Sequence, residues 1–291
     1  MKLSEPNQFG QSDPIETDDE MHEALVEFDE LLHDDDATPP SFKASYLRAC
    51  QECPEIADNE AHKLRFLRCD LFQVQMAVNR MCRYWIKRIE VFGEERAFMK
   101  ITLDQAMKDD HKTLALGIVL HPLLENDVIA KDKDGRCAVY FDPSRQDSSL
   151  YTDKSLLRVF WYVVHIALEI ETTQKRGIIL IVMSKYASHS QFDTKLSRMI
   201  SDTMKGCLPA RIGSFQVCHP PIFFSLIYPI IKYLLGSYLR ERIRLNRGSD
   251  DTVIKSLQQY GLSLESIPSD LGGGADVNNS RWFAKRKAIG K

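Results

Sequence analysis

Residues Pro220 to Leu235, PPIFFSLIYPIIKYLL, are almost wholly apolar and carry a single cation, Lys232. At 16 residues the run falls short of the roughly 20 that cover the hydrocarbon core of a bilayer. Pro229 and Lys232 within it argue further against a lipid-spanning helix. A helix that is apolar all round must still hide every face, in a deep core or against something that is not protein. The stretch therefore reads as a movable wall over a pocket for a lipid.

The remaining totals bound what surrounds that wall. A chain of 291 residues accommodates one or two domains, and 44% hydrophobic with 27% charged residues is the balance of an ordinary globular protein. The net charge of −3 is unevenly placed: residues 1–36 hold 13 acids and one base, which leaves the rest of the chain at +9. A basic body with an acidic segment suggests an anionic partner, phospholipid surface as readily as nucleic acid on charge alone. The start, MKLSEPNQFGQSDP, lacks the charged lead and apolar run of a secretory signal. Seven cysteines, an odd number, read as reduced thiols, and RWFAKRKAIGK carries no prenylation or retention motif. These features predict a cytoplasmic protein whose membrane contact is peripheral.

Residues 1–40 are acidic, poor in aromatics and closed by Asp34-Asp35-Asp36 and Pro39-Pro40, the composition of a disordered tail. Within them Met21, Leu25, Phe28, Leu31 and Leu32 recur at helical spacing, so Glu20 to Leu32 is a helix that either docks or frays. Helical patterns fill 41–112: Lys63 to Cys69, then Val74 to Phe92 with Gly93 as the stop. The period then changes. Val128 to Lys131 and Cys137 to Phe141 are short β-type runs facing each other across Lys133-Asp134-Gly135. Ser155 to Ile170 and Asp193 to Cys207 read as helices. Gly177 to Met183 reads as a strand buried on both faces and Ser214 to Cys218 as another. The fold class is α/β with a mixed, mostly parallel sheet over 113–274, preceded by a small helical lobe and followed by a basic tail, 275–291.

No catalytic set emerges. Cys50-Gln-Glu-Cys53 lacks the second ligand pair of a structural zinc site and does not lie near a βαβ unit. Gly272-Gly273-Gly274 has no following helix or lysine and reads as a chain terminator. Asp132 and Asp134 belong to a turn, since the other positions of a calcium loop are missing. His165 reads as a core histidine, and neither it nor Cys207 sits in a nucleophile elbow. The expectation is a protein that is not an enzyme and has no metal or cofactor other than a bound lipid. What remains is the apolar stretch with basic residues beside it: Arg198, Lys205 and Arg211 before, Arg240, Arg242, Arg244 and Arg247 after.

Five segments in order then resemble the CRAL-TRIO lipid-binding proteins. KLRFLRCDLF (Lys63 to Phe72) is similar to that family's LLRFLRARKFD entry helix, and DKDGRCAVYF (Asp132 to Phe141) to its DkdGRPV hairpin. LPARIGSFQVCHPP (Leu208 to Pro221) resembles its YPeRl strand, IKYLLGSYLRERIRL (Ile231 to Leu245) its gate, and SIPSDLGGG (Ser266 to Gly274) its LPxeyGG ending. The resemblance implies a non-enzymatic carrier, a helical lobe before an α/β lobe that encloses one hydrophobic molecule under a gate helix, hinged here near Pro220-Pro221 and Gly236. Relatives carry phosphatidylinositol and phosphatidylcholine, tocopherol or retinaldehyde. The headgroup positions of the phosphatidylinositol branch fall on Asp70, Ala210, Leu239 and Arg242, of which Arg242 alone keeps a charge. Arg211 and Arg242 match the basic residues with which the tocopherol branch binds a phosphoinositide, while Asp70 replaces a cation. Met183 and Tyr186 stand where the family carries an Asp and a Gly.

On these grounds the pocket is assigned to Tyr140, Phe160, Ile181, Met183, Phe223, Phe224, Ile227 and Ile231, and the headgroup or membrane contacts to Arg211, Lys232, Arg240 and Arg242. The expected partners are a phospholipid or another hydrophobic small molecule, an anionic membrane surface, and a protein recruited by the acidic N-terminus, with no nucleic acid. The alternatives are a lipid-sensing interaction module that does not transfer its ligand and, more distantly, an enzyme acting on lipids.

Overall fold

The computed structural model describes residues 2–8, 10–107 and 119–291, apart from the side chains at 237 and 238. The chain divides into two units, Met1–Lys100 with Asp202–Arg211, and Ile101–Ser201 with Ile212–Lys291. The boundary expected between 112 and 113 lies outside the described residues.

The first unit is helical. After a two-stranded antiparallel ribbon, β1 (Lys2–Leu3) with β2 (Pro14–Ile15), come α1 (Asp18–His33), α2 (Pro40–Glu52), α3 (Pro54–Ala57), α4 (Glu60–Cys69) and α5 (Val74–Phe92). α5 ends where expected because Gly93 takes φ 83°, a backbone conformation glycine adopts without a Cβ clash. Its buried face includes Val78, Met81, Tyr84 and Trp85. Phe66 and His62 of α4 meet Tyr84 edge to face. Arg88 is buried too, its guanidinium 4.8 Å from the Trp85 ring centre and donating to the Tyr84 hydroxyl at 3.0 Å.

The acidic segment is not a tail. Thr17 caps α1 by accepting the Glu20 N–H, and Ala24, Phe28 and Leu32 are buried along one face. Lys63 donates to Asp29 at 2.8 Å and to Asp58 at 2.7 Å, pinning the acidic side of the helix as well. Of the two outcomes open to the Glu20 to Leu32 helix, docking is the one found: the narrow apolar stripe through Phe28 and Leu32 outweighs the acidic average composition of 1–40.

The second unit opens with the short helix α6 (Leu103–Met107) and carries a five-stranded sheet in the order β3 (Leu120–Pro122), β6 (Cys137–Phe141), β7 (Ile178–Met183), β8 (Ile212–Cys218), β9 (Ile243–Asn246). Only β3 runs antiparallel to its neighbour, so the sheet is mixed and mostly parallel. Parallel neighbours need long crossovers. These are α7 (Asp153–Ala167) and α8 (Glu171–Arg176), then α9 (Thr194–Gly206), whose last residues belong to the first unit, then α10 (Phe224–Arg240). α11 (Asp250–Gln259) follows β9.

The expected hairpin forms only at its base. Lys131 bridges Cys137, but β5 (Val128–Ile129) pairs with β4 (Leu124–Glu125), while β6 is taken up between β3 and β7. Its turn is held by Arg136, buried, which donates to Asp132 at 2.8 Å and Asp134 at 2.7 Å. The aspartates of KDKDGR are thus committed to an arginine. Gly273 is required by close approach, since a Cβ there would lie 2.2 Å from the Ile267 carbonyl oxygen.

The basic C-terminal residues are also ordered, in contrast to the expected tail. α12 (Ser280–Ala288) buries Trp282 and Phe283 against Tyr162, Ile166 and Leu103, and Arg286 forks onto Glu169 at 2.8 and 3.0 Å. Two adjacent aromatics supply the apolar area that its charge-rich composition hides.

Candidate functional site

Side chains alternate across a strand, so each strand of the sheet serves two surroundings. Ala138, Tyr140, Ile179, Ile181, Met183 and Cys218 face a core completed by Val253 and Leu257 of α11 and by Ile267 and Leu271. The intervening residues, Phe141, Leu180, Val182, Phe215 and Val217, with Leu120 of β3, form the floor of a cavity of about 220 Å³. Leu156 and Phe160 of α7 and Leu196 and Ile200 of α9 line its sides. Phe224, Ile227, Ile231 and Leu234 of α10 close it, together with Phe223. Its few polar lining groups include Gln146, Ser188, Gln191 and Asp193, and Gln191 Nε2 is already engaged with the Ser144 carbonyl at 2.8 Å. Among the described lining residues there is no arginine, lysine or histidine.

Five of the eight expected pocket residues, Phe160, Phe223, Phe224, Ile227 and Ile231, are brought together here. Tyr140, Ile181 and Met183 are not: they lie on the opposite face of the sheet. The error is one of parity. In a strand apolar on both faces nothing in the sequence marks which set looks which way, and a slip of one residue exchanges them. Tyr140 is fixed on the far side by donating its hydroxyl to Asp270 at 2.9 Å, and burial pushes its phenol pKa up. Leu180, Val182, Phe215 and Val217 were missed for the same reason.

The closing helix is interrupted where its sequence suggested. Gly236 takes φ 72° and ψ 179°, which breaks the helical path. On the other side of the apolar run, His219 is held at φ 50°, just before Pro220-Pro221. Between these breaks α10 is apolar on two sides. Its outer side presents Leu226 and Tyr233 to solvent at 71% and 81% exposure, with Ile230 also exposed, and Ile222, two residues before the helix, is 95% exposed. Lys232 is exposed and places its ammonium 4.6 Å from the Tyr228 ring centre.

The cations divide differently from expectation. Lys232 and Arg240 are exposed, but Arg211 and Arg242 are only 3% and 6% exposed. Arg211 donates to Asp13 at 2.8 Å and to the Ser12 carbonyl at 2.7 Å. Sequence gave no sign that the acidic stretch reaches Arg211, because the two are distant in the chain. Asp70, standing where relatives carry a cation, receives a two-pronged contact from Arg80 at 2.7 and 2.8 Å. Ala210 and Leu239 are buried.

The remaining candidates are structural in their contacts. Cys53 is buried and Cys50 half-buried; desolvation pushes both thiols up, away from the reactive thiolate. His165 Nδ1 donates to the Trp161 carbonyl at 2.7 Å and stacks on that indole. Among the described residues no three His, Cys, Asp or Glu side chains converge as a metal would require, and no helix is long and apolar enough to cross a membrane.

The profile of the CRAL/TRIO domain matches residues 128–273, half of the chain and nearly all of the cavity-bearing sheet. The chain belongs to the CRAL/TRIO domain family. This is a family of lipid-binding proteins. The human alpha-tocopherol transfer protein-like protein is 26% identical over 243 residues, 80% of this chain and 65% of that protein. The mouse tyrosine-protein phosphatase non-receptor type 9 is 28% identical over 127 residues, 44% of this chain. The match spans only 20% of that phosphatase's length. Among solved structures, the crystal structure of Sfh5 superposes with a TM-score of 0.52 at 13% identity, covering 79% of this chain and 82% of that one. At that identity the likeness concerns the CRAL/TRIO fold alone.

Proposed function

We propose that the protein binds one hydrophobic lipid in the cavity beneath α10 and carries or presents it at membranes, without chemical turnover. The observation that carries this reading is the composition of the cavity wall: apolar side chains from all five strands of the sheet, two helices and the closing helix converge on a single space. Water gains little from such a surface, whereas a hydrocarbon chain gains roughly 25 cal/mol per Å² of apolar area buried. The exchange is favourable only while the cavity is closed over its guest, so loading and release belong at a membrane.

The outer side of α10 suits that encounter. Ile222, Leu226, Ile230 and Tyr233 form an apolar stripe beside Lys232 and Arg240, the pairing of greasy and cationic groups that settles on an anionic interface. Each basic residue near such a surface contributes about 1 kcal/mol. The cytoplasmic face of a membrane is the natural site for a peripheral protein of this kind. Mass spectrometry of lipids that co-purify from cells, followed by transfer of the identified lipid between vesicles, tests the reading. One lipid class in stoichiometric amount is expected; lipid-free protein that moves nothing between vesicles would overturn it.

A further inference from the structure

Helix α12 sits on the second unit as a ligand sits in a groove. Its adjacent aromatics, Trp282 and Phe283, fill an apolar floor made by Leu103, Ala106, Leu124, Tyr162 and Ile166. Carboxylates meet the cations that flank those rings. Asp127, in the turn between β4 and β5, pairs with Lys285 and stands 3.9 Å from Arg281. Asp104 of α6 is 3.6 Å from Lys287, and Glu169, after α7, takes the fork of Arg286. Two rings on an apolar floor and basic side chains on an acidic rim are the features by which a groove recognises a basic amphipathic helix.

What the groove supplies, another medium can supply too. Residues 280–291 hold five cations, Arg281, Lys285, Arg286, Lys287 and Lys291, and no acid. Arg281, Lys285 and Lys287 keep more than half of their side-chain surface in water even when paired, and ion pairs so exposed contribute little and are screened by salt. A helix of nine residues is too short to hold its shape alone in water. The attachment therefore rests chiefly on burial of Trp282 and Phe283 and on the better shielded contact of Arg286 with Glu169. An anionic bilayer matches each of these: an interfacial zone that takes aromatic rings, a boundary along which short basic helices lie, and phosphates that accept an arginine fork. Ile289 and Val128, beside these contacts in the chain, are exposed apolar residues that such a boundary would also cover.

We propose that α12 is a second membrane-binding element, which leaves its groove for an anionic bilayer and lays Trp282 and Phe283 into the interface. Its departure bares Leu103, Leu124 and Ile166 among three carboxylates, so the groove stands open only while the protein is on a membrane. The exchange adds a contact to the outer side of α10 and needs no cargo in the cavity.

Tryptophan fluorescence of the full chain is recorded on vesicles with brominated acyl chains, made of phosphatidylcholine with or without phosphatidylserine. Trp85 and Trp161 are fully buried, so bromine quenching reports Trp282, and Trp282→Phe, its fold checked by circular dichroism, reveals any part due to a brominated lipid inside the cavity. Vesicles with phosphatidylserine are expected to quench the wild type well beyond Trp282→Phe, and phosphatidylcholine alone to quench neither. Protein that carries no lipid should behave alike, so this result is separate from the question of cargo. Asp104→Asn with Asp127→Asn removes two rim charges and should raise the quenched fraction severalfold. Glu23→Gln with Glu27→Gln, at exposed positions of α1, changes net charge equally and should not. Vesicle-bound protein whose Trp282 escapes quenching overturns the proposal, because α12 has then stayed in its groove; so does a failure to bind anionic vesicles. Equal responses of the two double variants overturn it as well, since net charge alone would account for both.

Discussion

Ser201 Oγ donates to the main-chain carbonyl of Leu234 at 2.7 Å, linking the helix at the side of the cavity to the helix that closes it, two residues before the break at Gly236. Both residues are buried. Ser201→Ala leaves that carbonyl without its hydroxyl donor in a dry setting and should cost about 1–3 kcal/mol of stability. Denaturant unfolding checks the cost, and lipid exchange with acceptor vesicles should become faster. Unchanged exchange would mean that the closing helix is held by packing alone.

Neighbouring residues of β7 should respond in opposite ways. Ile181→Ala opens a hole in the far core and is expected to cost about 2–5 kcal/mol, with bound lipid retained in whatever protein remains folded. Val182→Trp projects into the cavity and should exclude lipid while changing the melting temperature far less. Lipid per chain by mass spectrometry, beside thermal unfolding, separates the two.

The apolar stripe outside α10 can be altered without touching the core. Ile222→Asp with Leu226→Asp places two charges at exposed positions, where surface substitutions usually move stability by no more than about 0.5 kcal/mol. Cosedimentation with anionic vesicles should fall sharply. Binding at the wild-type level would place the membrane contact elsewhere.

Acid should weaken the second unit through His121. This ring is buried beside Tyr140, donates from Nδ1 to the Pro122 carbonyl at 2.9 Å, and has no partner for Nε2 among the described residues. Burial pushes its pKa down to about 4. The folded value lies below the unfolded one of about 6.5, so the unfolded chain takes up the proton first. The contribution is therefore complete above about pH 6.5 and is lost as pH falls towards 4, by up to about 3 kcal/mol. Denaturant unfolding of wild type and His121→Phe across this range should show a smaller acid slope in the variant.

The parts of this architecture that were legible from sequence are those written in local pattern. Gly93 ended α5, Ile178 to Met183 formed a strand, and the run after Pro220 made a helix over a cavity because period and punctuation are properties of neighbouring residues. What escaped depends on partners far along the chain. Tyr140, Ile181 and Met183 were set on the wrong face because a strand covered on both sides has no polar face to orient it. Asp13 and Arg211 are nearly two hundred residues apart, so their pairing left no trace in either segment. Trp282 and Phe283 were hidden in charged surroundings, where a composition average outweighs the one or two side chains that dock a helix.

The strict alternation in β7 and β8 has a consequence for how such a protein diversifies. Leu180, Val182, Phe215 and Val217 line the cavity, while Ile179, Ile181, Met183 and Cys218, the residues between and beside them, hold the scaffold. If the cavity holds a lipid as proposed, cargo preference and foldedness are encoded at interleaved positions, close in the gene yet nearly independent in effect. A lineage can try new cargoes one substitution at a time without first rebuilding the domain that carries them.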